Sequence, residues 1–79
     1  MSKALISVTQ SWQEAAIGAA IFTVEEEGSG VLYFNETEDD STAYKIIGKS
    51  GEQFEQTAAV STNVRATGDG WKIIADGGL

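Results

Sequence analysis

The chain has 79 residues, of which five are basic and twelve acidic, so its formal net charge is −7; it contains no histidine, cysteine or proline. A chain of this length forms one small domain that buries only about 60% of its unfolded surface, and we expect residues 1–79 to be a single domain. The missing cysteine excludes disulfides and thiol chemistry. The missing histidine removes the most common general base and transition-metal ligand.

These counts argue against catalysis and against several classes of partner. Nucleophilic catalysis would need an activating base other than histidine, and paired carboxylates need a cleft for which so short a chain has little room. The acidic charge disfavours a nucleic-acid backbone, and no apolar run approaches the roughly 18–20 residues of a membrane span. We therefore expect no enzyme, cofactor, metal, membrane or small-molecule substrate, and a thin core that depends on contacts with other protein subunits.

In chain order, alternating apolar residues predict strands at residues 4–8 and 20–25. Residues 31–34 form a further β-favouring run. Because residues 28–30 are a three-residue glycine-rich loop between two such runs, they predict a β-hairpin. Residues 11–16 are ambiguous, since Ser11 and Glu14 match a helix capping box while the β-branched residues behind them favour a strand. A short helix at 11–16 therefore remains an alternative.

The second half of the chain follows the same pattern. Residues 36–42 contain four acids and no large apolar side chain, which predicts an exposed loop. Strands are predicted at 44–47, 59–66 and 71–75, with Phe54 in an extended connection. The loop at residues 68–70 predicts a second hairpin. Six to seven short strands with regular turns indicate an all-β fold, either a small antiparallel sandwich or a barrel.

Two acidic segments and two glycine loops are the remaining candidate sites. The clustered carboxylates at 36–40 are the type of oxygen ligand that Ca²⁺ takes. Their spacing matches no calcium loop, and whether they bind a cation stays open. If residues 25–27 lay at the same end of the fold, the two acidic segments would form a negative pole for a basic partner. The glycine loops at 48–51 and 68–70 match no phosphate-binding motif and are interpreted as turns.

The residues best suited to protein contacts are aromatic side chains and arginine, which are enriched at binding hot spots. We expect interface contacts from Trp12, Tyr33, Tyr44, Arg65 and Trp71. For the two tryptophans the alternative is packing in the core.

Four segments resemble a group of small virion proteins of tailed bacteriophages. They are residues 22–24, 28–31, 51–55 and 60–66, and the resemblance spans residues 12–75. The chain has no proline in the variable loop where members of the group commonly have one, and it has Arg65 where many carry tryptophan. The resemblance implies a capsid decoration, cement or fibre-base subunit in the virion that contacts capsid or tail proteins as an oligomer or within a lattice. It implies no catalytic residue.

Two other functions fit the sequence. A small acidic protein can mimic DNA and occupy a basic groove of a partner, which requires charges arranged in a stripe; here the charges cluster in loops. A free-standing binding module would instead be a stable monomer with one conspicuous apolar patch.

Overall fold

The strands expected from the alternating pattern form in the computed structural model, which describes residues 2–77. Eight strands are present: β1 Ser2–Ser7, β2 Gln13–Ile17, β3 Ala20–Glu26, β4 Leu32–Asn35, β5 Tyr44–Ile46, β6 Gln53–Gln56, β7 Ser61–Ala66 and β8 Lys72–Gly77. One 3₁₀ turn, Asp40–Thr42, lies in the acidic loop. Side chains along β3, β7 and β8 alternate between buried and partly exposed positions, as strands with one face on a core require.

The strands pair into two antiparallel sheets. Sheet I has the order β1-β8-β3-β6, and sheet II has the order β2-β7-β4-β5. The expected all-β class and sandwich-like architecture are confirmed. The barrel alternative is wrong because neither sheet closes on itself. The predicted number of strands, six to seven, is one or two lower than the eight that form. The additional strands are β2 and β6, which occupy the region of the possible helix and the predicted extended connection.

The helix considered at residues 11–16 is wrong. Residues 13–17 instead form β2, which pairs with β7 through Gln13 opposite Val64 and Ala16 opposite Thr62. A β-bulge interrupts this register between Glu14 and Ala16. Pairing with a buried neighbour strand therefore overrides the local capping-box signal. Phe54 is likewise part of a strand, since β6 pairs with β3 and sets Phe54 opposite Phe22.

Both predicted hairpins are wrong. The eight strands are joined by seven connections, and only the β4–β5 connection stays within one sheet. The loops at 28–30 and 68–70 each carry the chain from one sheet to the other. A glycine loop after an alternating strand permits either a return beside the same strand or a crossing to the opposite sheet. The alternation is identical in both cases, so the local sequence does not distinguish them.

The two crossing loops are bonded to each other. The amide of Ser29 donates to the carbonyl of Asp69 at 2.9 Å, and the indole Nε1 of Trp71 donates to the carbonyl of Ser29 at 2.7 Å. Val31 and Thr67 exchange two further bonds, at 2.9 and 3.0 Å. These contacts fasten one end of sheet I to the same end of sheet II.

The core lies between the sheets. Among the described residues, eleven apolar ones are buried: Val8, Ala20, Phe22, Val24, Leu32, Phe34, Val64, Ala66, Trp71, Ile73 and Ala75. The rings of Phe22, Phe34 and Phe54 form its centre, with centroids 5.0 to 5.9 Å apart in tilted and stacked arrangements. Within residues 2–77 no helix is long and apolar enough to cross a membrane.

Candidate protein interface on sheet II

The outer face of sheet II brings an aromatic ring between two cations. Tyr33 on β4 lies directly opposite Lys45 on β5 and Arg65 on β7. The Lys45 ammonium is 5.8 Å and the Arg65 guanidinium 5.7 Å from the centroid of the Tyr33 ring. Both distances are within the range of cation–π attraction. We call Tyr33, Lys45, Arg65 and Asp40 together the Tyr33–Arg65 face.

The guanidinium of Arg65 is held from three directions. Its Nε donates to the carbonyl of Gln10 at 2.8 Å, and its Nη1 donates to a carboxylate oxygen of Asp40, with which it forms an ion pair. The Tyr33 ring lies on the third side. The Arg65 side chain is only 18% exposed although it lies on the outer face of a sheet. Much of its rotamer entropy is therefore already lost before any partner binds.

The acidic loop is ordered around Asn35 and Asp39. The buried side chain of Asn35 donates to the carbonyl of Asp39 at 2.8 Å and to the hydroxyl of Thr42 at 3.1 Å. The hydroxyl and amide of Ser41 both donate to the Asp39 carboxylate, at 2.8 and 2.9 Å. These two hydrogen bonds, the hydroxyl's first, hold the pKa of Asp39 below its ordinary value. The loop therefore has a fixed shape that presents Asp40 to Arg65.

The sequence-predicted interface residues fall into three places. Tyr33 and Arg65 are brought together on the outer face of sheet II, and half-buried Trp12 lies between Gln10 and β2. Tyr44 is opposite Phe34 and so lies on the inner face of β5, yet the residue is 46% exposed. Trp71 is 2% exposed and packs in the core. Trp71 therefore takes the core position that was the alternative for the tryptophans, and a side chain buried in this way does not reach a partner.

Two members of the face were missed as contact residues. Lys45 lies within the predicted strand at 44–47, and alternation puts it on the face opposite Tyr44. The pairing of β5 with β4 then sets it beside Tyr33. Asp40 was considered only as a cation ligand. Its role toward Arg65 depends on a pairing between residues 25 positions apart, which no local pattern reveals.

The acidic segments do not form a joint site. Residues 25–27 follow the course of β3 to one end of the sandwich, whereas residues 36–42 follow β4, which runs back to the other end. The single negative pole considered above is therefore not formed. In the part of the chain that the structure describes, no group of three or more Asp, Glu, His or Cys side chains is arranged to hold a metal ion.

Comparison with models of known protein families, with curated protein sequences and with solved structures gives no match for this chain.

Proposed function

We propose that this chain is a structural subunit of a virion, a capsid decoration, cement or fibre-base protein that acts through protein–protein contacts. Its partners are capsid or tail subunits, on which it is bound in a lattice or as an oligomer. It is assembled in the host cytoplasm and located in the virion. The phage assignment comes from the sequence resemblance, and the mode of action comes from the geometry of sheet II.

The observation that carries the proposal is the Tyr33–Arg65 face. Tyrosine and arginine are among the side chains enriched at binding hot spots, and here they are already fixed against each other in the free chain. Preorganisation lowers the entropy cost of association. An outer sheet face with fixed aromatic and cationic groups suits a broad protein surface better than a small ligand, which favours a concave site.

The alternative is an acidic inhibitor that mimics DNA and fills a basic groove. Such a protein needs carboxylates in a stripe that repeats the spacing of phosphates. Here residues 25–27 and 36–42 lie at opposite ends of the sandwich, and the outer face between the ends of sheet II carries Lys45 and Arg65. This distribution favours the structural proposal.

Mass spectrometry of virions tests the proposal. Particles of the tailed phage whose genome encodes the chain are purified on a density gradient and their proteins are quantified. We expect the chain in a copy number comparable to that of the coat protein or of a defined tail ring. A chain present in infected cells but absent from purified virions would refute the structural function and leave the inhibitor as the better explanation.

A further inference from the structure

The two long sides of the sandwich are closed differently. Where β5 and β6 meet, the rings of Tyr44 and Phe54 pack together with centroids 5.3 Å apart and cover the gap between the sheets. On the opposite side, where β1 and β2 form the edges, the lining is mostly small, and a half-open groove of about 190 Å³ remains. Its lining residues are Lys3, Ala4, Ala15, Ala16, Ile17, Ala75 and Gly77.

Ala4 shows that residues 2–77 leave this side uncovered. It lies opposite buried Ala75 and therefore on the inner face of β1, yet it is itself exposed. An inward-facing residue of a sandwich is normally covered by the opposite sheet. Here the facing residues on β2 are Ala15 and Ala16, whose side chains are too short to close the gap.

The strand that borders this groove, β1, is the least protected edge of the fold. It pairs with β8 in an unbroken register over six residues, contains no proline or bulge, and has Lys3 as its one charged residue. The other edges are shorter or interrupted: β2 has a bulge, β5 has three residues and β6 has four. Regular edges with few charges and no proline or bulge readily accept an added strand.

A second copy of the chain is a poor occupant of this edge. Six residues at about 3.3 Å each give a strip about 20 Å long, and the molecule is 16 Å thick in its smallest dimension. Edge-to-edge contact would bury only about 640 Å² in total, below the roughly 1,200 Å² of a stable interface. A net charge of −7 on each copy also disfavours direct pairing of two copies at this edge.

We propose that β1 accepts an extended, positively charged segment of a partner protein as an added strand, with one large apolar side chain inserted into the groove between β1 and β2. The inference rests on the proposed function, because the segment would belong to a subunit of the assembly on which the chain is docked. Strand addition takes its affinity from main-chain hydrogen bonds and its specificity from the side chains that alternate into pockets.

The dimensions and charges of this side define the segment. A dry cavity of about 150 Å³ holds one benzene molecule, so a groove of 190 Å³ has room for one large aliphatic or aromatic side chain. Leu5 is 63% exposed on the outer face of β1, where it offers apolar contact to the aliphatic stems of the segment's cationic side chains. Lys3 lies opposite Asp76 and is locally balanced by it. The rest of the chain attracts cationic partners through its net negative charge.

Titration with designed peptides, followed by nuclear magnetic resonance of the labelled full-length chain, tests the inference. The probe is a nine-residue peptide in which lysine alternates with valine and the central apolar residue is leucine; its control has alanine at the centre. We expect amide shifts confined to β1, β2 and β8, and binding of the leucine peptide at least 10-fold tighter than that of the alanine peptide. Shifts elsewhere, or equal affinities, would overturn the inference.

Variants of the groove complete this test. Ala16→Leu fills the groove and is expected to weaken binding of the leucine peptide at least 10-fold, whereas Ala59→Leu, in the exposed bend before β7, leaves it unchanged. Should Ala16→Leu fail to fold, Leu5→Lys provides the same test on an exposed position, where repulsion of the lysines weakens binding. Undiminished affinity in the folded variant would refute the groove as the binding site.

Capsids from a phage lacking this chain separate the two proposals. If wild-type chain sediments with these capsids and Ala16→Leu does not, the groove inference is supported. If both sediment equally, the groove inference fails while the structural function stands. If wild-type chain sediments neither with these capsids nor with tails of the same phage, the proposed function fails, and the peptide titration alone decides whether β1 accepts a strand.

Discussion

Replacement of Gly28 by alanine tests the crossing of the chain between the sheets. A Cβ at Gly28 would lie 2.7 Å from both the backbone nitrogen and ring Cδ1 of Trp71 and would also collide with the carbonyl of Asp69. Trp71 is buried and the other atoms belong to the backbone, so none of them moves cheaply. Overpacking of this kind costs about 1–3 kcal/mol.

Relief of the clash would also separate the two crossing loops. The bonds from Ser29 to Asp69 and from Trp71 to Ser29 would lengthen or break, at about 1 kcal/mol each. We therefore expect Gly28→Ala to lower the free energy of unfolding by about 3–5 kcal/mol in total. For a domain of this size a loss of 3 kcal/mol corresponds to a fall of about 12–24 °C in Tm.

Urea denaturation followed by tryptophan fluorescence measures the effect. The matched control is Gly77→Ala, the same substitution where the nearest atom, Cβ of Ala20, is 4.0 Å from the added Cβ. It is expected to change stability by no more than about 0.5 kcal/mol. In a hairpin, residues 28–30 would form an exposed turn remote from Trp71, and the two variants would behave alike. A difference under 1 kcal/mol would thus refute the crossing arrangement.

Three further predictions concern the core and the acidic loop. The Thr62 hydroxyl is buried with no hydrogen-bond partner among residues 2–77. Because Thr62→Val removes this desolvated group, it should raise the free energy of unfolding by about 1–2 kcal/mol in urea denaturation. A loss of stability would show that the hydroxyl is hydrogen-bonded. Phe34→Ala removes the ring between Phe22 and Phe54 and should cost about 3–5 kcal/mol in the same assay; a cost below 1 kcal/mol would contradict the packing. The pKa of Asp39 is lowered in the folded chain, so its ionised form stabilises the fold above the unfolded-state pKa, and this stabilisation is lost as pH falls through the folded-state pKa. A carboxyl titration by nuclear magnetic resonance should show the pKa of Asp39 rising in Ser41→Ala. An unchanged pKa would refute the Ser41 hydroxyl as the main cause of the lowered pKa.

The strands were largely predictable because alternation of apolar residues follows directly from burial of one strand face. Residues 61–66 and 72–75 satisfied this pattern closely, and both lie in central strands. The connectivity was not predictable, because a glycine loop with positive-φ residues such as Gly30 and Gly70 serves a hairpin and a crossing equally well. Only the long-range bonds between the two loops decide between them.

The sequence predicted which residue types contribute to the candidate interface, but not where on the fold they come together. Tyr33 and Arg65 were identified from hot-spot chemistry, yet their contact depends on the register of β4 against β7 across about 30 residues of chain. Trp71 shows the limit of this reasoning, since the same chemistry that suits an interface anchor also suits a core residue. Its indole finds its hydrogen-bond acceptor inside the fold, at Ser29.

Binding to capsids that lack the chain tests the central claim most directly, with two variants matched in charge. Arg65→Ala and Lys72→Ala each remove one cation that is paired with a carboxylate on an outer sheet face, Arg65 on sheet II and Lys72 on sheet I. We expect wild-type chain and Lys72→Ala to saturate the capsids alike. Arg65→Ala should bind about 30-fold more weakly, the effect of losing a hot spot of about 2 kcal/mol. Equal binding of the two folded variants, or no binding of the wild-type chain, would contradict docking through the Tyr33–Arg65 face.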